Sequence, residues 1–358
     1  MVVPTIYLPK SLDEIASSSI TEATAATLRR ACIDVGFFYL EDHGIPSDLM
    51  TRVLTMSKDF FNLPPGEKSN CIDPVLNRGY TRMGEETLDP QNQPTRGDTK
   101  EGYYIGRDVP PTSTRFNPLK LSGPNIWPTP STVPSWPPDR CHLFQQTMQE
   151  YFTAMSSLGL KVVQLLALSL GLPSAHSFDE AFQEPMATLR LLHYSAEPSR
   201  PENGIYGCGA HSDYGMITLL LTDDHPGLQI FTKEQRWVDV SPKRGAFIVN
   251  LGDMLERWTN GLYRSTVHRV LIRESSTLTT SIITTKSFGG DSAVETTTSG
   301  DRYSIPFFYE PNFDTEVRCL DVCCKDREPL YPPIVSGEYL LQKYTQTHAD
   351  FSSPEEKQ

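Results

Sequence analysis

Between Ala187 and Tyr309 the chain breaks into short β-prone runs separated by turn residues: 187–194, 216–222, 228–232, 236–240, 246–250, 263–272 and 303–309. None is long enough to bury an apolar face alone. Strands at this spacing must pair into sheets that cover one another, as a sandwich or a barrel.

The first half is built differently. Residues 5–8 read as a short strand, and 21–35 carry alanines, Leu28 and Ile33 at helical spacing up to Gly36. Phe37-Phe38-Tyr39-Leu40 suits a buried strand, and a second helix runs from Ser47 to Asn62 before Pro64-Pro65. Lys100 to Gly106 reads as a strand rich in aromatics. From Arg107 to Arg140 proline is dense enough to exclude regular helix, and Trp127 and Trp136 imply a segment packed along the surface. Cys141 to Leu170 then carries a broad apolar stripe of helical period and ends at Gly171. The fold class is α+β, mainly β: a double-stranded β-helix (jelly roll) core with flanking N-terminal and central helices. Its parts are 1–140, a helical and strand region with the Pro-rich segment; 141–186, the core helix and connection; 187–320, the catalytic core; and 321–358, a C-terminal extension. All four are expected to form one integrated unit.

Composition narrows the function classes. A net charge of −12 over 358 residues, with no basic run, excludes a phosphate-tracking nucleic-acid binder and a binder of anionic membranes. The N-terminus lacks the basic flank and apolar length of a signal peptide, and the apolar stretch 158–172 is interrupted by Lys161, Gln164 and Ser169. A cytoplasmic protein is expected. The seven cysteines include no CxxC pair, so Cys32, Cys71, Cys141 and Cys208 are read as reduced, and Cys319, Cys323 and Cys324 as ordinary thiols.

The chemistry is carried by His211-Ser212-Asp213 and a distant His268. Two residues apart on extended backbone, His211 and Asp213 project to the same side. On the strand around His268, Thr266 and Val270 share its face. Two imidazoles and one carboxylate form the facial set that holds non-heme Fe(II) while leaving open positions. The same ligands suit a tetrahedral Zn2+ with one water, and ligand type alone does not separate the metals. His43, in a turn beside Gly44 and Pro46, is expected to be a hydrogen-bonded structural residue. In 302–308, alternation puts Arg302, Ser304, Pro306 and Phe308 on one face. A guanidinium and a hydroxyl there suit the distal carboxylate of a 2-oxoacid whose other end chelates the metal.

The ordered motifs resemble one family. Gly36-Phe37-Phe38, His43-Gly44-Ile45 and Phe60-Phe61-Asn62-Leu63-Pro64 resemble the N-terminal region of the isopenicillin-N-synthase-like, 2-oxoglutarate/Fe(II)-dependent dioxygenases. His211-Ser212-Asp213, Asn250-Leu251-Gly252-Asp253, Ser265-Thr266-Val267-His268-Arg269-Val270 and Arg302-Tyr303-Ser304-Ile305-Pro306 resemble their catalytic region. The resemblance implies that His211, Asp213 and His268 bind iron, and that Arg302, Ser304 and Tyr194 contact 2-oxoglutarate. Two residues before Tyr194, Leu192 stands where the family often has Asn. O2 is the second co-substrate, with ascorbate as a reductant. The implied reaction is hydroxylation, desaturation or cyclisation of a small organic molecule, of the kind used in secondary metabolism, with release of succinate and CO2. Two other readings stay open: an iron oxidase of the same fold that needs no 2-oxoacid, and a non-catalytic ligand-binding homologue. Substrate identity and oligomeric state are not legible.

One departure from the family is long. Residues 273–301, rich in Ser and Thr, replace a short turn between the His268 strand and the Arg302 strand. A surface excursion, a lid hinged at Gly289-Gly290 and a translated intron are the competing readings.

Overall fold

The computed structural model describes residues 2–9, 19–73, 75–94, 96–274, 281–284, 293–296, 300–325 and 327–347. In chain order the elements begin β1 (Thr5–Tyr7), α1 (Ser19–Asp34), β2 (Phe37–Glu41), α2 (Ser47–Phe61), α3 (Pro65–Ser69), β3 (Ile72–Asp73), β4 (Arg78–Thr81), β5 (Lys100–Gly106), α4 (Pro138–Ser169) and β6 (Pro185–Tyr194). They continue with β7 (Cys208–His211), β8 (Ile217–Thr222), β9 (Leu228–Phe231), β10 (Trp237–Asp239), β11 (Phe247–Leu251), α5 (Asp253–Trp258) and β12 (His268–Val270). The chain closes with β13 (Ser281–Thr284), β14 (Ala293–Thr296), β15 (Arg302–Asn312), β16 (Glu316–Val317), β17 (Ile334–Val335) and α6 (Ser336–Thr347).

Two sheets organise the catalytic half. The larger has nine strands in the order β1-β2-β11-β8-β15-β6-β5-β4-β3, and the smaller has four in the order β10-β9-β12-β7. From β6 onward the chain passes between them: β6, β8, β11 and β15 lie in the large sheet, while β7, β9, β10 and β12 lie in the small one. Each pairing among these eight strands is antiparallel. The large sheet also takes up β1 to β5, so the N-terminal region and the catalytic strands share hydrogen bonds through β2–β11 and β5–β6.

β15 shows how alternation divides core from cavity. Its odd residues, Tyr303, Ile305, Phe307 and Tyr309, enter the main core. Phe307 meets Phe152 of α4 edge-on at 5.4 Å between ring centroids, and Tyr309 stacks on Phe182 at 5.3 Å. Burying each such ring stabilises the fold by roughly 1.5–3 kcal/mol. The even residues face the other way, into the space between the sheets. α4 is apolar and long enough by composition to cross a membrane, yet Phe144, Met148, Tyr151, Met155, Leu158, Val162 and Leu166 are buried in the core.

Gly36 separates α1 from β2. Its φ is +72°, and a Cβ there would lie 2.3 Å from the Arg264 carbonyl oxygen. Only glycine permits both the left-handed turn and the close approach of the loop leading to His268.

Several boundaries differ from expectation. α4 starts at Pro138, before Cys141, because proline at the first helical turn gives up no helical hydrogen bond. The expected strand 263–272 shrinks to His268–Val270. Ahead of it the β-prone residues bond elsewhere: Ser265 to Asp253, Thr266 to the Val35 carbonyl, and the Arg264 amide to Cys32. Thr266 therefore sits before the strand and does not share its cavity face. Cys319 and Cys324 come together at a turn of the chain, their Cα atoms 6.6 Å apart. Cys32, Cys71, Cys141 and Cys208 are free and buried. Of the long connection 273–301, β13 and β14 pair antiparallel, and Gly289-Gly290 lies outside the described residues.

Candidate metal centre and its adjoining cavities

His268 of β12 is the cross-strand partner of His211 at the end of β7. Their rings stand 4.3 Å apart between centroids. Asp213, two residues beyond β7, brings its Oδ1 to 3.7 Å from the Nε2 of each imidazole. One ligand atom from each residue lies within 4.8 Å of the others.

The groups behind these three decide which atoms face inward. His211 Nδ1 lies 2.8 Å from the Gly209 carbonyl, and His268 Nδ1 lies 3.1 Å from the Thr266 carbonyl. A carbonyl only accepts, so each Nδ1 carries the proton and each Nε2 presents a bare lone pair. Asp213 Oδ2 accepts from Asn250 Nδ2 at 2.7 Å and from the Thr218 hydroxyl, which leaves Oδ1 for the centre. Second partners of this kind orient ligands for a metal. Burial pushes the His268 imidazole down to about 4, and the neighbouring His211 adds to this, so the ring is neutral at pH 7. For Asp213 burial acts upward, but His268, His211 and the two hydrogen bonds outweigh it and hold the carboxyl below its usual range.

The cavity holding this cluster continues to Arg302, Ser304, Pro306 and Phe308, the face assigned by alternation, and to Tyr194. Arg302 is 2% exposed and Ser304 1%. Arg302 Nε donates to the His225 carbonyl at 3.3 Å, and its guanidinium packs 4.9 Å above the Tyr194 ring. Arg302 Nη1 is buried without a hydrogen-bond partner among the described residues. A buried guanidinium donor left open is costly, and an anionic ligand satisfies it. The residues therefore fit both a divalent metal and a carboxylate-bearing ligand. Tyr194 joins them as the cross-strand partner of Arg302.

A second cavity opens on the other side of His211 and Asp213. Its wall includes Glu86, Tyr104, Arg190, Tyr214, Phe308 and Glu310, with Leu340 and Tyr344 of α6 across it. Arg190 is gripped by Glu86 through two bonds of 3.1 and 2.9 Å, and Lys100 reaches Glu86 at 2.8 Å and also pairs with Asp98. Sequence reading reached only Phe308 of this wall and missed Glu86, Arg190 and Glu310. Glu86 and Arg190 lie 104 residues apart and carry no spacing signal, whereas Glu310 continues the alternation of Arg302, Ser304, Pro306 and Phe308 by one step. His43 is structural as expected: its Nδ1 accepts from the Ile45 amide at 3.1 Å and its Nε2 bonds the Gly245 carbonyl at 3.0 Å.

An oxygenase of the iron and 2-oxoacid class is what this arrangement defines, and comparison with known proteins agrees. Residues 3–130 match the family described as non-haem dioxygenase in morphine synthesis N-terminal, and residues 186–311 match the 2OG-Fe(II) oxygenase superfamily. The chain is 36% identical to the 2-oxoglutarate-Fe(II) type oxidoreductase hxnY of Emericella nidulans, over 90% of this chain and 84% of that protein. It is 35% identical to the 2-oxoglutarate-dependent dioxygenase citB of Monascus ruber, over 90% and 88%. Among solved structures, a full-length Neurospora crassa protein in complex with alpha-KG superposes with a TM-score of 0.76 at 29% identity, covering 96% of each chain. The same protein in complex with alpha-KG and thymine gives 0.75 at 28%, covering 97% of each. The chain belongs to the 2-oxoglutarate/Fe(II)-dependent oxygenase family. It is an oxidoreductase that uses Fe(II), 2-oxoglutarate and O2.

Proposed function

We propose that this dioxygenase hydroxylates, desaturates or cyclises a small organic substrate, with iron held by His211, Asp213 and His268 and the distal carboxylate of 2-oxoglutarate held by Arg302 and Ser304. The observation that carries the reading is the open Nη1 of buried Arg302, facing the same cavity as two bare imidazole nitrogens and Asp213 Oδ1. Passage of the chain between the two antiparallel sheets from β6 to β15 supports a double-stranded β-helix as the frame.

When bound, iron and 2-oxoglutarate supply the activation of O2, with succinate and CO2 as co-products. The protein's part is positional. Asn250 and Thr218 hold Asp213 Oδ2 and keep Oδ1 inward. The Gly209 and Thr266 carbonyls fix the imidazole tautomers, so no proton has to leave either ring before a metal binds. Tyr194 packs on the Arg302 guanidinium, which limits the orientations open to that group. Phe308 lines both cavities and stands between the 2-oxoacid end and the second cavity, which we assign to the organic substrate. The complex of the Neurospora crassa protein with alpha-KG and thymine supports a small organic molecule as the substrate.

The test is coupled turnover. Purified protein with Fe(II), 2-oxoglutarate and O2 is screened against small molecules for succinate formed in step with substrate lost. Substrate oxidation without 2-oxoglutarate consumption would replace this reading by that of a 2-oxoacid-independent oxidase.

A further inference from the structure

Glu310 is a buried carboxyl that iron and 2-oxoglutarate binding do not require. It lies on the inward face of β15, 5% exposed, in the wall of the second cavity together with His211 and Asp213. Its Oε2 accepts the Met216 amide, and Oε1 makes no hydrogen bond among the described residues. Among those residues no cation lies within ion-pair distance of it, whereas the other charged groups in this wall, Arg190 and Glu86, are paired with each other. The chain also makes room for this group: a Cβ on Gly215 would fall 1.6 Å from Glu310 Oε2. A carboxyl taken out of water with one backbone donor is expensive to keep. Burial, reinforced by the Asp213 charge and opposed by the Met216 amide, pushes it up to about 8.

We propose that Glu310 is the specificity-determining residue of the substrate cavity, its free Oε1 accepting a hydrogen bond from an N–H or O–H donor of a neutral small molecule and so orienting that molecule beside the metal centre. The inference rests on the reading that His211 and Asp213 hold the iron. In the free protein the carboxyl keeps its proton below about pH 8; a substrate donor supplies the second partner that favours the charged carboxylate, so binding releases that proton to solvent and frees Oε1 to accept. An anionic substrate would have to displace Glu86, which takes both terminal nitrogens of the Arg190 fork.

Glu310→Gln separates donors from acceptors. Its amide oxygen must remain on the Met216 N–H, because the NH2 group cannot face another donor, so the NH2 points at the substrate in place of an acceptor. Anaerobic wild-type enzyme loaded with Fe(II) and 2-oxoglutarate is screened by ligand-observed NMR. The collection pairs amides, lactams, imides and alcohols with their N- or O-methyl derivatives, and adds simple carboxylates. Glu310→Gln and Glu310→Leu are screened alongside, their folding checked by circular dichroism. The expected result is binding of donor-bearing members over their methylated partners, with affinity for those donors weakened about tenfold or more in both variants. Equal binding of methylated partners, preference for carboxylates, undiminished binding in Glu310→Gln, or no donor-bearing binder at all overturns the proposal. Iron-dependent 2-oxoglutarate binding by the wild type is measured separately; its absence would place the failure in the iron and 2-oxoacid reading instead of in Glu310.

Discussion

Asn250 donates to Asp213 Oδ2 at 2.7 Å and thereby chooses which carboxylate oxygen faces the two imidazoles. Removing that bond frees the carboxylate to rotate without deleting a ligand. Asn250→Ala is expected to weaken iron binding by about 10–100-fold, measured by competition with a chelator, while His211→Ala abolishes both iron binding and turnover. Full iron affinity in Asn250→Ala would show that Thr218 and backbone packing position Asp213 alone.

Arg302 carries the second prediction. Losing charge-assisted bonds to a carboxylate costs about 1.5–3 kcal/mol each, which is tens to hundreds of fold. Arg302→Leu should raise the 2-oxoglutarate concentration for half-maximal turnover by at least that much, with iron binding retained because no metal ligand is touched. An unchanged requirement removes Arg302 from the co-substrate site.

Gly215 and Glu310 form a pair testable by stability. Gly215→Ala drives a methyl into the carboxyl and is expected to destabilise the fold by about 1–3 kcal/mol. Glu310→Ala in the same chain makes room and should recover part of that loss. Additive losses in urea unfolding would mean that the two positions do not meet.

Glu310 also predicts a pH window. Its carboxyl sits at about 8 in the fold against 4.5 for the ordinary group. Between those values the unfolded chain gives up its proton and the folded one keeps it, so this group's contribution turns against folding as pH rises from 4.5 to 8. In metal-free protein, Glu310→Gln should therefore match the wild type near pH 4.5 and exceed it by about 4 kcal/mol at pH 8. A stability gap that does not widen with pH would contradict the burial of an ionisable group here.

Glu101 marks a different buried network. It accepts from Lys68 Nζ at 2.6 Å, from the Tyr80 hydroxyl at 2.5 Å and from His193 Nδ1 at 2.8 Å. Glu101→Ala leaves the Lys68 ammonium buried without a counter-ion, with only the Phe61 carbonyl at 3.1 Å to accept from it, and is expected to cost roughly 3–5 kcal/mol. Thermal unfolding measures it, and a loss below about 1 kcal/mol would indicate that water replaces the carboxylate.

What could be read from the chain follows from how local each signal is. That His211, Asp213 and His268 would cluster was legible because metal-ligating side chains are few and the spacing of His211 and Asp213 is set by the strand. Arg302 and Ser304 were legible because a period of two shows in a handful of residues. Glu310 obeys the same period, but Pro311 follows it and the expected strand stopped at Tyr309; β15 in fact runs on to Asn312. Tyr263 to Val267 look β-prone, yet Ser265 and Thr266 spend their hydroxyls on Asp253 and Val35, a tertiary choice invisible to propensity. The Glu86–Arg190 pair was out of reach because only the assembled sheet brings residues 104 apart into contact.

β15 carries Arg302 and Ser304 at one end and Glu310 at the other, all on one side of a single ribbon. A slip of one residue in its pairing would turn every one of them into the core and bring Tyr303, Phe307 and Tyr309 into the reactive space. The strand behaves as a graduated rule whose marks cannot be moved singly. The connection before residue 302 can change length without moving these marks, but a new substrate has to be accommodated by exchanging the side chain at a mark, never by shifting the rule.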